Sequence, residues 1–371
     1  MIDNVRRDYM NVAFIFFLKD SFGGAERRLT RIYNELCAED KTIECDIVVR
    51  GCDRERALEF FKQADCDISN ISRVIAFKSP LVCLLYIFFA RKYKLIHFFS
   101  ACGYNFATQI VCKISRKKSL YTICGYREAY NSFPESHMKK VRRQLQMADY
   151  IDLLYPSGGL FVSQYIKKGK MSITPGTFTD LEVFRPMEKR KTIVYAAARL
   201  NDSKNPFLFI EGIELCKEMI RTEGYKVYIL GKGDCEESIK SYIKRKSLSD
   251  IVQMIGYDKT SKYLPMASVF CSLQKLENYP SQSLAEAAAS GCYLIITDVG
   301  DSRKCAEDTF ATFINNDPSE LCAALCKYFS LSLDDKKAIV NDARCFSLKN
   351  YSIEASKHYF KSLFKSAEND T

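Results

Sequence analysis

Short runs of β-branched and aromatic residues alternate with longer amphipathic stretches almost from end to end. This rhythm constrains the fold more than any single motif does. In the first half the runs are Val12–Leu18, Cys45–Val49, Val74–Phe77, Leu95–Phe99, Leu120–Cys124, Tyr150–Tyr155 and Met171–Thr174. In the second half they are Thr192–Ala198, Lys226–Leu230, Ile251–Ile255, Ser268–Leu273, Tyr293–Val299 and Phe310–Ile314. The runs are nearly all apolar rather than alternating, as expected for strands buried on both faces. Strand–helix alternation of this kind predicts parallel sheets covered by helices. There are too many strands for one compact doubly wound sheet, so the 371 residues are expected to form two Rossmann-like α/β domains facing a cleft. The segment Pro175–Lys191, rich in Pro, Gly, Thr and charge, reads as the linker. The chain after Asp334 reads as helical, with apolar spacing at Tyr351, Ala355, Tyr359 and Phe364.

Composition removes several function classes. Of sixteen cysteines none forms a CxxC pair, and the closest two, Cys322 and Cys326, have no nearby His; a zinc site is disfavoured and buried reduced thiols are expected. The N-terminal MIDNVRRDYMN lacks the apolar core of a signal peptide, so the expected location is cytoplasmic. The longest apolar run, Leu81–Ala90, ends at Arg91, Lys92 and Lys94. It is far short of the roughly 20 residues that span a bilayer, so the chain is expected to lie on a membrane at most.

Charge is unevenly distributed. The net charge is +10, and residues 1–185 hold 29 Lys and Arg against 20 Asp and Glu. Within Arg73–Arg143 there are 14 basic residues and two acids, Glu128 and Glu135. Solvated helix ends would account for this; so would one basic face for an anionic membrane surface or an anionic acceptor. No zinc-finger, RNA-recognition or basic-zipper pattern accompanies the charge, so a nucleic-acid partner is not expected.

Three motifs carry chemistry. Gly23-Gly24 follows the first strand and opens a helix, where backbone N–H groups can face an anion. It lacks the GxGxxG spacing of a dinucleotide site, and a plain turn is the simpler reading of the pair alone. Arg199 and Lys204 lie just past a buried strand end, where a fork-shaped and a point cation together suit a diphosphate. The block Glu277-Asn278-Tyr279-Pro280-Ser281-Gln282-Ser283 precedes an Ala-rich helix carrying Glu286. Pro280 suits a first helical turn, and the helix start suits an anion. A carboxylate among small residues needs a hydrogen-bonding partner, and a ribose diol supplies one.

Together these pieces resemble the family-4 retaining glycosyltransferases, the group 1 type with the GT-B fold. The resemblance runs from Gly23-Gly24-Ala25-Glu26-Arg27 through Leu230-Gly231-Lys-Gly233 and Ile255-Gly256 to the Glu277…Glu286…Gly291 block and Thr297-Asp298-Val-Gly300. It implies a donor diphosphate held by Arg199 and Lys204, a nucleotide ribose on Glu286, and a transferred sugar on Glu277 and the following amides. Gly23, Gly24, Gly256, Asn278, Tyr279, Pro280, Ser281, Gln282 and Ser283 complete the implied donor site. It implies no metal and no cofactor beyond the nucleotide-sugar, with UDP favoured, and an acceptor that is a saccharide or a lipid-linked sugar. The implied domains are 1–185 on the acceptor side, 186–345 for the donor, and a helix over 346–371 returning to the first domain. Two departures stand out. Eight residues separate Glu277 from Glu286, one more than the family's usual interval, so either Glu277 or Asn278 takes the sugar-facing place. The family's first-domain His has no counterpart in Cys124-Gly125-Tyr126-Arg127-Glu128, where Arg127 or Tyr126 would stand in, and His97, at another strand end, reads as structural or cleft-lining. A nucleotide-sugar epimerase and a non-catalytic sugar-binding scaffold on the same fold are the alternative readings.

Overall fold

The computed structural model describes residues 10–17, 24–64, 66–99, 105–124, 134–166, 170–277, 279 and 281–369. The chain divides into two compact units, Met1–Pro175 with Glu354–Thr371, and Gly176–Ile353.

In the first unit the strands are β1 (Met10–Phe17), β2 (Ile43–Arg50), β3 (Arg73–Phe77), β4 (Leu95–Phe99), β5 (Lys118–Ile123), β6 (Tyr150–Leu153) and β7 (Lys170–Ile173). The helices between them are α1 (Gly24–Glu39), α2 (Arg54–Gln63), α3 (Pro80–Phe89), α4 (Asn105–Ile114), α5 (Glu135–Met147) and the short α6 (Gly159–Ser163). The sheet is parallel with order β3-β2-β1-β4-β5-β6-β7, so the direction of winding reverses between β1 and β4. β1 shows why the apolar runs are continuous: Val12 through Phe16 are all buried, because helices cover both faces. α1 buries Leu29, Ile32, Tyr33 and Leu36, the stripe expected of a helix laid on a sheet. Local signals start the helices. Asp53 accepts from the Arg56 N–H at 3.0 Å to cap α2, and Ser79 with Pro80 starts α3.

The second unit holds β8 (Arg190–Arg199), α7 (Pro206–Leu215), α8 (Lys217–Glu223), β9 (Lys226–Lys232), α9 (Glu236–Arg245), β10 (Val252–Gly256), β11 (Ala267–Ser272), α10 (Gln282–Ala289), β12 (Tyr293–Thr297), β13 (Ala311–Ile314), α11 (Pro318–Ser330) and α12 (Leu333–Asn350). The parallel order is β10-β9-β8-β11-β12-β13, with its reversal between β8 and β11. Its core runs from Phe184 to Tyr351 and includes the whole inner face of α10.

The linker stretch groups with the second unit from Gly176 onward. Phe178 and Phe184 are buried, and the Thr179 N–H donates to the Tyr351 carbonyl at 3.0 Å. The C-terminal division also falls later than position 345. α12 starts at a reciprocal Ser332–Asp335 capping box and runs unbroken to Asn350, and only the last helix, α13 (Ile353–Asn369), groups with the first unit. There Phe364 stacks on Tyr33 with centroids 5.8 Å apart, Tyr150 donates to the Ser366 carbonyl at 2.9 Å, and Glu39 pairs with Lys357 and Lys361 at 2.7 and 2.6 Å. The fifteen described cysteines are all free thiols.

Candidate functional site

The second unit's sheet reverses its winding between β8 and β11, the place where open parallel sheets hold ligands at the carboxyl ends of their strands. Arg199 is the last residue of β8 and is exposed. Its backbone pairs with Lys232 at the end of β9, after a shift in register that begins at Ala196. Glycines make that junction possible. Gly231 has φ +125°, and a Cβ there would lie 1.8 Å from the Ala197 carbonyl oxygen; one on Gly233 would lie 2.7 Å from that of Leu200. No other residue lets the two strand ends approach so closely. Gly256, at the end of β10 with φ +78°, borders the Lys232 side chain, whose Cε lies 3.2 Å from where a Cβ would be.

Lys204 lies one turn past Arg199, in the 3₁₀ turn Asp202–Lys204. Asn205 follows in the left-handed region at φ 57°, and Pro206 starts α7. Tyr195 donates to the Lys204 carbonyl at 2.7 Å and so fixes the turn to β8. Burial holds the Lys204 ammonium below its usual pKa. An anion at this point would offset that desolvation.

The loop after β11 is tied to the same turn. The Lys275 N–H donates to the Ser203 carbonyl at 3.0 Å, and the Lys275 ammonium pairs with Asp202. Two residues on, Glu277 is buried, and its Oε1 accepts from the Asp301 N–H at 3.1 Å. Gly300 lies against it at φ +55°, where a Cβ would be 2.6 Å from the Glu277 carboxyl carbon. Glu277 is therefore clasped by the loop after β12. Ser281 is the buried N-cap residue of α10, its hydroxyl 3.4 Å from that of Ser283. Gln282 accepts from the Thr177 hydroxyl at 2.7 Å. Tyr279, half-buried, lines a small cavity with Ser281, Thr297 and Cys305. The Cys305 thiol is pushed up to about 12 by burial.

Glu286 is half-buried on α10. Its Oε2 accepts from the Thr260 hydroxyl at 2.7 Å, and its Oε1 from the Gln282 amide at 3.3 Å. The Ala-rich face around it is buried from Leu284 through Ala289 apart from Glu286 itself. The carboxylate has the hydrogen-bonding partners that its setting requires. Arg199, Lys204, Gly256, Glu277, Tyr279, Ser281, Gln282, Ser283 and Glu286 thus all lie at the carboxyl-end loops of one sheet or at the start of α10. Sequence reasoning missed three neighbours. Lys232 carried a signal, standing between two glycines; Lys275 and Thr260 carried none, because their roles rest on contacts between loops.

In the first unit, Gly24 opens α1 after the last residues of β1. Gly23, Tyr126, Arg127, Asn278 and Pro280 lie outside the described residues. His97 lies in β4 and is fully buried. Its Nδ1 is 2.6 Å from the Tyr33 hydroxyl and its Nε2 is 2.7 Å from that of Thr122. Thr122 spends its proton on Asp152 at 2.7 Å, and Tyr359 of α13 donates to the other carboxylate oxygen at 2.6 Å. The network therefore assigns the proton of a neutral imidazole to Nε2, with Tyr33 donating to Nδ1. Burial holds the imidazole pKa down at about 3. His97 is a core histidine that joins the sheet to α1 and α13. It does not line an acceptor surface, because both ring nitrogens are engaged and no part of it reaches solvent.

Residues 179–345 match the family described as glycosyl transferases group 1. Over 97% of this chain and 99% of its own length, a protein of Campylobacter jejuni serotype O:2 is 26% identical; it is named GalNAc-alpha-(1->4)-GalNAc-alpha-(1->3)-diNAcBac-PP-undecaprenol alpha-1,4-N-acetyl-D-galactosaminyltransferase. Anabaena HepE, solved in complex with UDP, superposes with a TM-score of 0.77 at 13% identity, covering 96% of this chain and all of that one. Sucrose-phosphate synthase from Thermosynechococcus elongatus superposes with a TM-score of 0.71 at 16% identity, covering 98% of this chain and all of that one. The two parallel α/β sheets and these superpositions give the chain the GT-B fold, within which residues 179–345 are the segment that matches the group 1 glycosyltransferases.

Proposed function

We propose that this protein transfers a sugar from a nucleotide diphosphate-sugar, UDP being the favoured nucleotide, to a hydroxyl of a lipid-linked saccharide, with retention of anomeric configuration. The observation that carries this reading is the tie between Lys275 and Ser203, which brings the Arg199–Lys204 turn and the Glu277–Glu286 block to one end of one sheet. In this reading Arg199 and Lys204 bind the diphosphate, with Lys232 beside them. They stabilise the charge that gathers on the leaving group as the glycosidic bond breaks, which makes a metal unnecessary. The N–H groups at the start of α10, near Ser281, Gln282 and Ser283, add the favourable end of a helix dipole. Glu286, its Oε2 held by the Thr260 hydroxyl, exchanges the longer Gln282 contact on Oε1 for the ribose diol. Glu277, held by the Asp301 N–H, takes hydroxyls of the transferred sugar. A departing phosphate oxygen accepts the proton of the incoming hydroxyl. The UDP bound by HepE and the lipid-linked substrate in the Campylobacter protein's name support the donor and acceptor classes.

Membrane-bound acceptors suit a peripheral protein, and the basic stretch Arg73–Arg143 suits an anionic leaflet. No described helix is long and apolar enough to cross a membrane.

Incubation with a panel of nucleotide-sugars tests the reading. Slow release of free sugar from one donor, with anomeric configuration kept on transfer to an undecaprenyl diphosphate-linked acceptor, is the expected outcome. Isomerisation of the donor sugar would favour an epimerase, and failure of every donor to bind would favour a scaffold.

A further inference from the structure

Helix α3 turns its apolar side outward. Only Cys83 and Ile87 are buried, one turn apart on the inner face. Leu81, Val82, Leu85, Phe88 and Phe89 are exposed, Leu81 at 64% and Phe89 at 70%. Ile114, the last residue of α4, extends the same kind of surface at 66% exposure. Between the ends of α3 and α4 lies a groove of about 490 Å³ whose apolar wall is Phe88, Phe89 and Ile114 and whose rim is Arg91, Lys94, Arg116 and Lys117. The arrangement is built. The Lys117 ammonium donates to the Phe88 carbonyl at the end of α3, at 3.2 Å, and burial lowers its pKa. Lys92 is drawn away to the buried carboxylate of Asp46 at 2.6 Å, which also pairs with Arg73. No acidic residue occurs in the sequence between Asp67 and Glu128, so nothing in these two helices offsets the rim.

A soluble surface helix buries its apolar stripe; exposed apolar clusters of this kind mark interaction sites. A second copy of this chain is a poor occupant, because pairing the face with itself would bring two basic rims together. An acidic bilayer fits both features, since it accepts side chains below the headgroups and cations among them.

We infer that the outer face of α3, with the end of α4, inserts into an anionic lipid bilayer, Leu85, Phe88 and Phe89 entering the acyl boundary while Arg91, Lys94 and Arg116 engage lipid phosphates. This names the contact surface of the peripheral reading above and rests on it.

The chain has no tryptophan, so Phe89→Trp supplies a single emitting reporter. Mixed with phosphatidylglycerol vesicles, this variant is expected to shift its emission to the blue and to be quenched by brominated acyl chains. In co-sedimentation, Leu85→Ser/Phe89→Ser is expected to bind those vesicles at least about tenfold more weakly than the unmodified protein, from the loss of buried apolar surface. Both substituted residues are solvent-exposed, so the fold is expected to persist, as circular dichroism and donor hydrolysis would report. Vesicle binding by the unmodified protein that is equally strong in the double variant would overturn the insertion while leaving peripheral attachment intact. Absence of binding by the unmodified protein would overturn both. A blue shift that grows with protein concentration without vesicles would assign the face to a second copy and overturn the proposal.

Discussion

The Glu286 carboxylate accepts a hydrogen bond from the Thr260 hydroxyl at 2.7 Å, so one side chain joins the helix after β11 to the turn after β10. The contact holds the carboxylate at the edge of the sheet's carboxyl end without burying it fully.

Glu286→Ala and Arg199→Ala are each expected to lower kcat/KM by about 10²–10³, the cost of losing a charged contact to the transition state. Neither residue is in the core, so the thermal midpoint should move little. Thr260→Val should raise the KM for the donor with a much smaller effect on kcat, because it removes only the residue that positions Glu286. Wild-type kcat/KM in either Ala variant would reject the donor-site assignment.

Glu277, rather than Asn278, is expected to contact the transferred sugar. Glu277→Ala should cost discrimination between donor sugars, whereas Asn278→Ala should keep it. Gly300→Ala provides a second route to the same residue. The new methyl would meet the Glu277 side chain at 2.6 Å from a backbone at φ +55°. It should impair sugar binding as Glu277→Ala does. Donor kinetics on the three variants would show whether Asn278 takes the role instead.

Gly231→Ala is expected to destabilise the second unit by about 3 kcal/mol or more, since it combines a left-handed backbone with a direct clash. Its Cβ would lie 1.8 Å from the Ala197 oxygen, and only separation of β8 from β9 relieves that. Urea unfolding would report the loss. Diphosphate binding should weaken with it, because Arg199 closes the same strand.

Stability should fall on acidification below about pH 6.5, the ordinary histidine pKa. The imidazole of His97 is held at about 3 in the folded state, so the unfolded chain takes up this proton first. The stability present above pH 6.5 is therefore lost progressively as pH approaches 3. Asp152, whose pKa burial raises, acts with the opposite sign and offsets part of the loss. Glu39, held down at about 2 by Lys357 and Lys361, adds to the loss only below the ordinary carboxylate range. His97→Gln keeps one donor and one acceptor without a titration. It should be less stable at neutral pH and show a flatter decline between pH 6.5 and 4.5 in thermal melts.

Binding to anionic vesicles should weaken as salt rises, through screening. On α5, Arg142 is engaged with Glu135 at 2.9 Å and lies over the Tyr165 ring, whereas Lys139, Lys140 and Arg143 are exposed. Lys139→Ser/Lys140→Ser/Arg143→Ser should therefore weaken vesicle binding without changing donor hydrolysis. Vesicle flotation at several salt concentrations checks this.

The residues themselves determined the strands, the parallel class and the strand-end positions of the candidate site residues. Buried parallel strands must be continuously apolar, and glycines, prolines and caps mark their ends, so Arg199, Lys204, Glu277 and Glu286 could be located from order alone. Tertiary structure decided what contacts between distant segments decide. The sequence shows His97 at a strand end but not that Tyr33 and Thr122 take both its nitrogens, 64 and 25 residues away. It shows Leu81–Ala90 as apolar all round, and periodicity cannot tell which side of such a helix meets the sheet. Here only Cys83 and Ile87 are fully buried, Tyr86 packs beside them, and Leu81, Val82, Leu85, Phe88 and Phe89 are left to solvent. Lys275 and Thr260 enter the site through one backbone and one hydroxyl contact between loops. Such contacts leave no period or spacing in a sequence, because they depend on where separate strands of a folded sheet come to an end.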